Sequence, residues 1–237
     1  MTRLLVHVEG ETEESFVNEV LAGHLAVHGY ASVAARLLGN ARARSRRGGI
    51  RSWPTVRRDI MGHLREDTDG IATIMVGYYG LPQDGDGAWP GRADAPMQST
   101  ELRAATVEQA LLDDVTGAMG AGFDTRRFVP FVLMHEFEAL LFSDCVRFAD
   151  AIGQSQVAGP LQAVRAQFAT PEEIDDSPET APSKRIQGLV PGYGKAFMGI
   201  LGVLEIGLAR IRSECRHFDD WLVRLEQTAR LATGPAP

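Results

Sequence analysis

Lysine is almost missing from this chain. Of its 24 basic residues only Lys184 and Lys195 are lysine, and with so much Ala and Gly around them the arginine bias reflects GC-rich coding. Two cysteines, Cys145 and Cys215, form neither a metal-ligand spacing nor a disulfide framework, which predicts a reducing, cytoplasmic setting. No apolar run approaches the roughly 20 residues needed to span a bilayer. Glu9 also interrupts the first apolar stretch too early for a signal peptide. The Walker A pattern GxxxxGK[ST] is absent, so any use of ATP has to come from a partner. The net charge of −7 argues against coating nucleic acid with the whole surface.

What is present is uneven. A hydrophobic content of 44% is ordinary for a globular protein and excludes a mainly disordered chain. Between Asn40 and Arg65 stand Arg42, Arg44, Arg46, Arg47, Arg51, Arg57, Arg58 and Arg65, with Asp59 the one carboxylate. Such a stretch either contacts phosphates or is a solvated loop. Acid concentrates elsewhere, with Glu9, Glu11, Glu13 and Glu14 following the apolar run RLLVHV. These four are either a helix start or a site for a cation.

Hydrophobic spacing sets the organisation. RLLVHV, residues 3–8, reads as a buried strand. Thr12 is placed to cap the helix that follows, with Phe16, Val17, Val20, Leu21 and Leu25 on its apolar face. A second strand is expected over 31–38, a second helix from Pro54 to about Glu66, and a third strand in GIATIMVGYYG, residues 70–80. This alternation predicts an α/β protein with a mainly parallel sheet flanked by helices. After the Gly-, Pro- and Asp-rich loop 81–96, a helix is expected over about 98–119. A fourth strand follows in RFVPFVL, where Pro130 favours an edge position. Residues 143–168 read as helical, TPEEIDDSPETAPSKR as a polar loop, and 194–213 and 218–232 as further helices. The core is expected over 1–143, with a helical C-terminal region over 144–237. Phe218 and Trp221 read as core.

In an open parallel sheet, ligands bind beyond the carboxyl ends of the strands. Glu9, Gly77-Tyr78-Tyr79 and His135-Glu136 fall at three such ends. Carboxylates gathered there suit Mg²⁺ or Mn²⁺, hard cations that position phosphates and offset charge as a phosphodiester is cleaved. His135 is a general base, a phosphate donor or a structural residue. Lys184, Arg185 and Lys195 either neutralise phosphate or are ordinary loop cations. Tyr78, Tyr79 and Trp89 either stack on bases or pack. Asp84 and Asp86, in Asp-Gly-Asp-Gly, read first as turn chemistry.

Val8-Glu9-Gly10-Glu11-Thr12-Glu13 resembles the opening motif of Toprim domains, most closely the version in overcoming-lysogenization-defect nucleases. The wider chain resembles a Toprim-like bacterial domain-of-unknown-function family, number 4276, through VEGETEESF, YYGLP, HEFEALLFSD, PSKRI and CRHFDDWL. The resemblance implies a Mg²⁺-dependent nuclease effector of anti-phage defence, working with a separately encoded ATPase of the AAA or ABC type. It implies Glu9 as metal ligand or general acid/base, with Glu13, Glu136 and Glu138 as further ligands. Arg42, Arg44, Arg46, Arg47, Lys184, Arg185 and Lys195 become contacts to DNA or RNA, and an oligomer is compatible with it. The family pattern has an Asp before Tyr78-Tyr79-Gly80. Here that residue is Gly77, which leaves open a catalytically silent nucleic-acid-binding or regulatory module. A phosphotransfer enzyme acting on small nucleotides is the third reading.

Overall fold

The structure, a computed structural model, describes residues 2–38, 49–174 and 180–233. Arg42, Arg44, Arg46 and Arg47 lie outside the described residues. The chain divides into two compact units, Met1–Val76 with Gly80–Val132 and Trp221–Pro237, and Gly77–Tyr79 with Leu133–Asp220. The partition follows space rather than chain order and differs from a single cut at residue 143.

In the first unit, β1 (Arg3–Val8) leads into α1 (Glu11–Phe16), a π-helical turn over Val17–Leu21 and α2 (Ala22–Val27). Then come β2 (Ser32–Leu37), α3 (Trp53–Glu66), β3 (Gly70–Gly77), α4 (Thr100–Met119) and β4 (Phe128–Leu133). The sheet order is β2-β1-β3-β4, with β1 parallel to both β2 and β3. The expected α/β class with a parallel sheet therefore holds. Every residue of β3 is buried, which is why GIATIMVG reads as an unbroken apolar run. Strand β4 lies at the sheet edge, where Pro130 is tolerated because an edge strand leaves backbone positions without a ladder partner. The buried Glu108 of α4 accepts from the Val132 N–H at 2.8 Å, which satisfies a donor of that edge.

One local expectation is corrected, and two open alternatives are decided. Gly10, not Thr12, occupies the N-cap of α1, with extended backbone at φ −143°, while Thr12 is buried inside the helix. The chain turns straight out of β1, so the cap falls where the strand ends rather than at the nearest hydroxyl. The 81–96 loop is held by packing: Trp89 is buried, its ring lies 5.1 Å from Trp53, and its Nε1 donates to the Arg51 carbonyl at 2.9 Å. Trp89 and the buried Tyr78 are thus packing residues rather than stacking platforms. Asp84 and Asp86 are exposed beside a 3₁₀ turn over Gly85–Gly87, as turn chemistry predicts.

Gly91 fixes that loop against α4. Its φ is +73°, and a Cβ there would sit 2.8 Å from the Thr106 carbonyl oxygen and 2.9 Å from the Ala110 Cβ. Neither atom belongs to a flexible side-chain end. Gly91→Ala is expected to destabilise by about 1–3 kcal/mol from the left-handed conformation alone, with the clash added. Chemical denaturation checks this, and an unchanged midpoint would show that the loop is not anchored at Gly91.

The second unit is helical. It contains α5 (Cys145–Ala151), α6 (Ala158–Arg165), α7 (Pro182–Leu189), α8 (Lys195–Ile206) and α9 (Leu208–Glu214). The segment read as helical over 143–168 holds two helices, α5 and α6. The helix expected over 194–213 breaks at Gly207, whose φ of +81° lies outside helical space. PSKRI is also not loop. Pro182 opens α7, because a first-turn proline gives up only an N–H that has no helical acceptor. The last helix, α10 (Arg216–Thr233), begins in the second unit and ends in the first.

Candidate functional site

The acidic turn after β1 belongs to the first unit. Glu9 is half-buried at the carboxyl end of β1, and its backbone carbonyl accepts from the Gly49 N–H at 2.6 Å. Its Oε1 lies 3.8 Å from where a Cβ on Gly80 would stand, so the turn after β3 passes beside the Glu9 carboxylate. Parallel pairing of β1 with β3 produces this, by setting both strands' carboxyl ends at the same end of the sheet. Glu13, in the first turn of α1, brings Oε2 within 3.1 Å of where a Cβ on Gly10 would stand, so a larger residue at position 10 would press on that oxygen. Glu11, Glu13 and Glu14 all fall in that turn, where the helix dipole favours negative charge.

The donor set is hard oxygen, which suits Mg²⁺ or Mn²⁺. Gly77, the last residue of β3, contributes no side-chain donor. The expected third-strand carboxylate is therefore missing at its own position. Nearby on β1, the buried His7 is held neutral down to about pH 3, chiefly by burial and also by Arg36 and His63.

A second charged group lies wholly within the second unit. The sharp turn at its start places His135 at φ +69°, the one non-glycine positive φ among the described residues. Backbone strain of this kind accompanies functional or tightly packed turns. The His135 ring is buried, 6.0 Å from that of Tyr79. After the turn the chain becomes a 3₁₀ helix over Phe137–Ser143, which carries Glu138 in its first turn. Glu136 accepts from the Ser183 N–H at 3.0 Å, at the start of α7, where exposed N–H groups favour a carboxylate.

Glu138 is 2% exposed and lies 3.1 Å from the Lys195 Nζ, which is also 3.9 Å from Glu136. Burial pushes the Glu138 carboxyl above its ordinary range, and Glu136 adds to this, while the Lys195 ammonium pulls it back. Tyr193, two residues before Lys195, has a buried hydroxyl without a hydrogen-bond partner among the described residues. Burial raises its pKa, and the Glu138 and Glu136 charges raise it further. Sequence reasoning missed Tyr193. The signal available was a tyrosine set between glycines in PGYGK, next to one of only two lysines.

The other expected cations are engaged differently. Lys184 is exposed and 3.4 Å from Gln187 on its own helix. Arg185 donates to the Thr180 carbonyl at 2.7 Å and lies over the Phe168 ring at 5.4 Å. Lys195 serves as counter-charge to Glu138, which yields a direct test. Lys195→Met leaves that carboxyl buried without its cation and is expected to cost about 1–3 kcal/mol. The double variant Lys195→Met with Glu138→Gln is expected to recover most of the loss. If the two substitutions prove additive in denaturation, the pair carries no coupling.

These observations define an α/β protein with a parallel four-stranded sheet, a helical second unit and acidic turns after its first and last strands. The chain belongs to the family described as Domain of unknown function (DUF4276), whose profile matches residues 8–226. No curated protein matches it. Among solved structures it is similar to the C-terminal region of the OLD protein of Xanthomonas campestris pv. campestris. That match has 15% identity and a TM-score of 0.39, and covers 98% of this chain and 97% of the other. No helix among the described residues is long and apolar enough to cross a membrane.

Proposed function

We propose that this protein is a Toprim-like nuclease domain that uses Mg²⁺ or Mn²⁺ to cleave nucleic acid. The observation that carries the reading is the half-buried Glu9 carboxylate at the carboxyl end of the sheet, where parallel α/β proteins bind ligands, with the turn after β3 beside it. In this reading Glu9 and Glu13 are metal ligands within the first unit, and Glu136 and Glu138 are metal ligands within the second. Alternatively, Glu9 is the general acid/base. The bound ion would supply charge stabilisation at a phosphodiester and a nucleophile derived from water. Arg42, Arg44, Arg46, Arg47, Lys184, Arg185 and Lys195 are phosphate contacts. We assign energy coupling to a separately encoded ATPase of the AAA or ABC type, in a system acting against phage.

Gly77 favours a second reading. A buried glycine at the end of β3 offers no ligand, which suits a catalytically silent module that binds nucleic acid or regulates a partner. Calorimetric Mg²⁺ and Mn²⁺ titrations, with cleavage assays on single- and double-stranded DNA and RNA, separate the two. The nuclease reading expects metal binding and metal-dependent cleavage. Nucleic-acid binding with neither would establish the silent module.

A further inference from the structure

We infer that His24, His28 and Glu226 form a site for a divalent transition metal of the zinc class, fastening α10 to α2. The acidic turn plays no part in it. His24 and His28 stand four residues apart, one helical turn, so their rings fall on the same face of α2 and its end. Their ring centroids are 4.7 Å apart. The two Nε2 atoms converge on one oxygen of Glu226 on α10, at 2.7 Å from His24 and 3.8 Å from His28. One ligand atom from each of the three residues lies within 4.8 Å of the other two.

The chemistry of this set differs from that of the acidic turn. Two imidazoles and one carboxylate form a nitrogen-rich donor set, which favours zinc, copper or nickel over magnesium. Zinc bonds to such ligands at about 2.0–2.2 Å, so tetrahedral ligand atoms stand roughly 3.3 Å apart. The 2.7 Å contact would open by about 0.6 Å and the 3.8 Å contact would close by about 0.5 Å, shifts within side-chain reach. The short contact is a hydrogen bond, and a metal would take the position of its proton. All three side chains are 12–23% exposed, which admits an ion from solvent and a water as fourth ligand.

The surroundings give the site a purpose. The Tyr30 hydroxyl donates to the Leu225 carbonyl at 2.9 Å, so the chain around α2 already meets α10 next to Glu226. A metal bridging residues 24 and 226 would close the chain across 202 positions. It would then stabilise the folded first unit by binding it and not the unfolded chain.

The test uses the full chain and Zn²⁺ alone, in excess Mg²⁺ so that hard-oxygen sites are occupied. One Zn²⁺ is expected to bind per chain and to raise Tm by about 5–10 °C at a hundredfold excess over Kd. His24→Gln, His28→Gln and Glu226→Gln are each expected to weaken binding at least tenfold and to remove the Tm rise. Glu9→Gln is expected to leave Zn²⁺ binding intact, so this site stands or falls apart from the nuclease reading. His28 makes the longest contact, and its substitution is least able to disturb packing. Co²⁺ in the wild-type protein is expected to give the intense visible absorption of a tetrahedral site, a readout needing no variant. Absence of Zn²⁺ binding, or binding that survives all three substitutions, would reduce the cluster to an ion pair and overturn the proposal.

Discussion

Glu9→Gln is expected to lower metal-dependent cleavage by roughly 10²–10³-fold while leaving the fold intact. Several kcal/mol of transition-state stabilisation by a positioned cation correspond to that factor. The substitution keeps nearly the same volume and both backbone hydrogen bonds at this point, Gly49 N–H to the Glu9 carbonyl and Leu38 N–H to the Val8 carbonyl. What it removes is the charge. Tm should therefore move little, and calorimetric Mg²⁺ affinity should fall together with the rate. A variant that binds Mg²⁺ like wild type and cleaves equally well would remove Glu9 from the chemistry.

Gly77→Asp is the complementary change. It places a carboxylate at the buried end of β3, where an uncompensated charge is costly. Without metal the variant is expected to be less stable than wild type. With Mg²⁺ it is expected to recover stability and to bind the ion more tightly, if the acidic turn is merely incomplete. A destabilised variant that Mg²⁺ fails to rescue would favour the silent module.

Trp221→Ala is expected to give the largest stability loss, about 3–5 kcal/mol, which corresponds to a fall in Tm of roughly 10 °C. Trp221 is fully buried and stacks on Phe131 of β4, with ring centroids 4.4 Å apart and planes inclined by 10°. Its Nε1 donates to the Thr73 hydroxyl at 3.0 Å, and that hydroxyl donates in turn to the Val129 carbonyl. The indole thus joins α10 to both β3 and β4. Trp221→Phe keeps the stack and loses one hydrogen bond, so its cost should be only about 1 kcal/mol. Equal losses in the two variants would show that the hydrogen bond, not the packing, holds α10 to the sheet.

The sequence by itself determined the strand-and-helix alternation and the place of Glu9. Both are local. The apolar run of β3, the Pro54 helix start and the break at Glu9-Gly10 each occupy a few neighbouring residues, and burial of a parallel strand writes itself as an unbroken apolar stretch. Errors arose where one local signal has two uses. Thr12 can cap a helix or sit inside one, and Pro182 can close a loop or open a helix.

Only the tertiary structure decided the pairings. Glu138 meets Lys195 across 57 positions, Thr73 meets Trp221 across 148, and His24 meets Glu226 across 202. The four-residue spacing of the two histidines was legible; their carboxylate was not. Hydrophobic periodicity reports which face of an element is buried, but not which distant residue will lie against it. That choice is made when the elements pack, because a buried charge or indole nitrogen is stable only against a partner that the fold brings within hydrogen-bond reach.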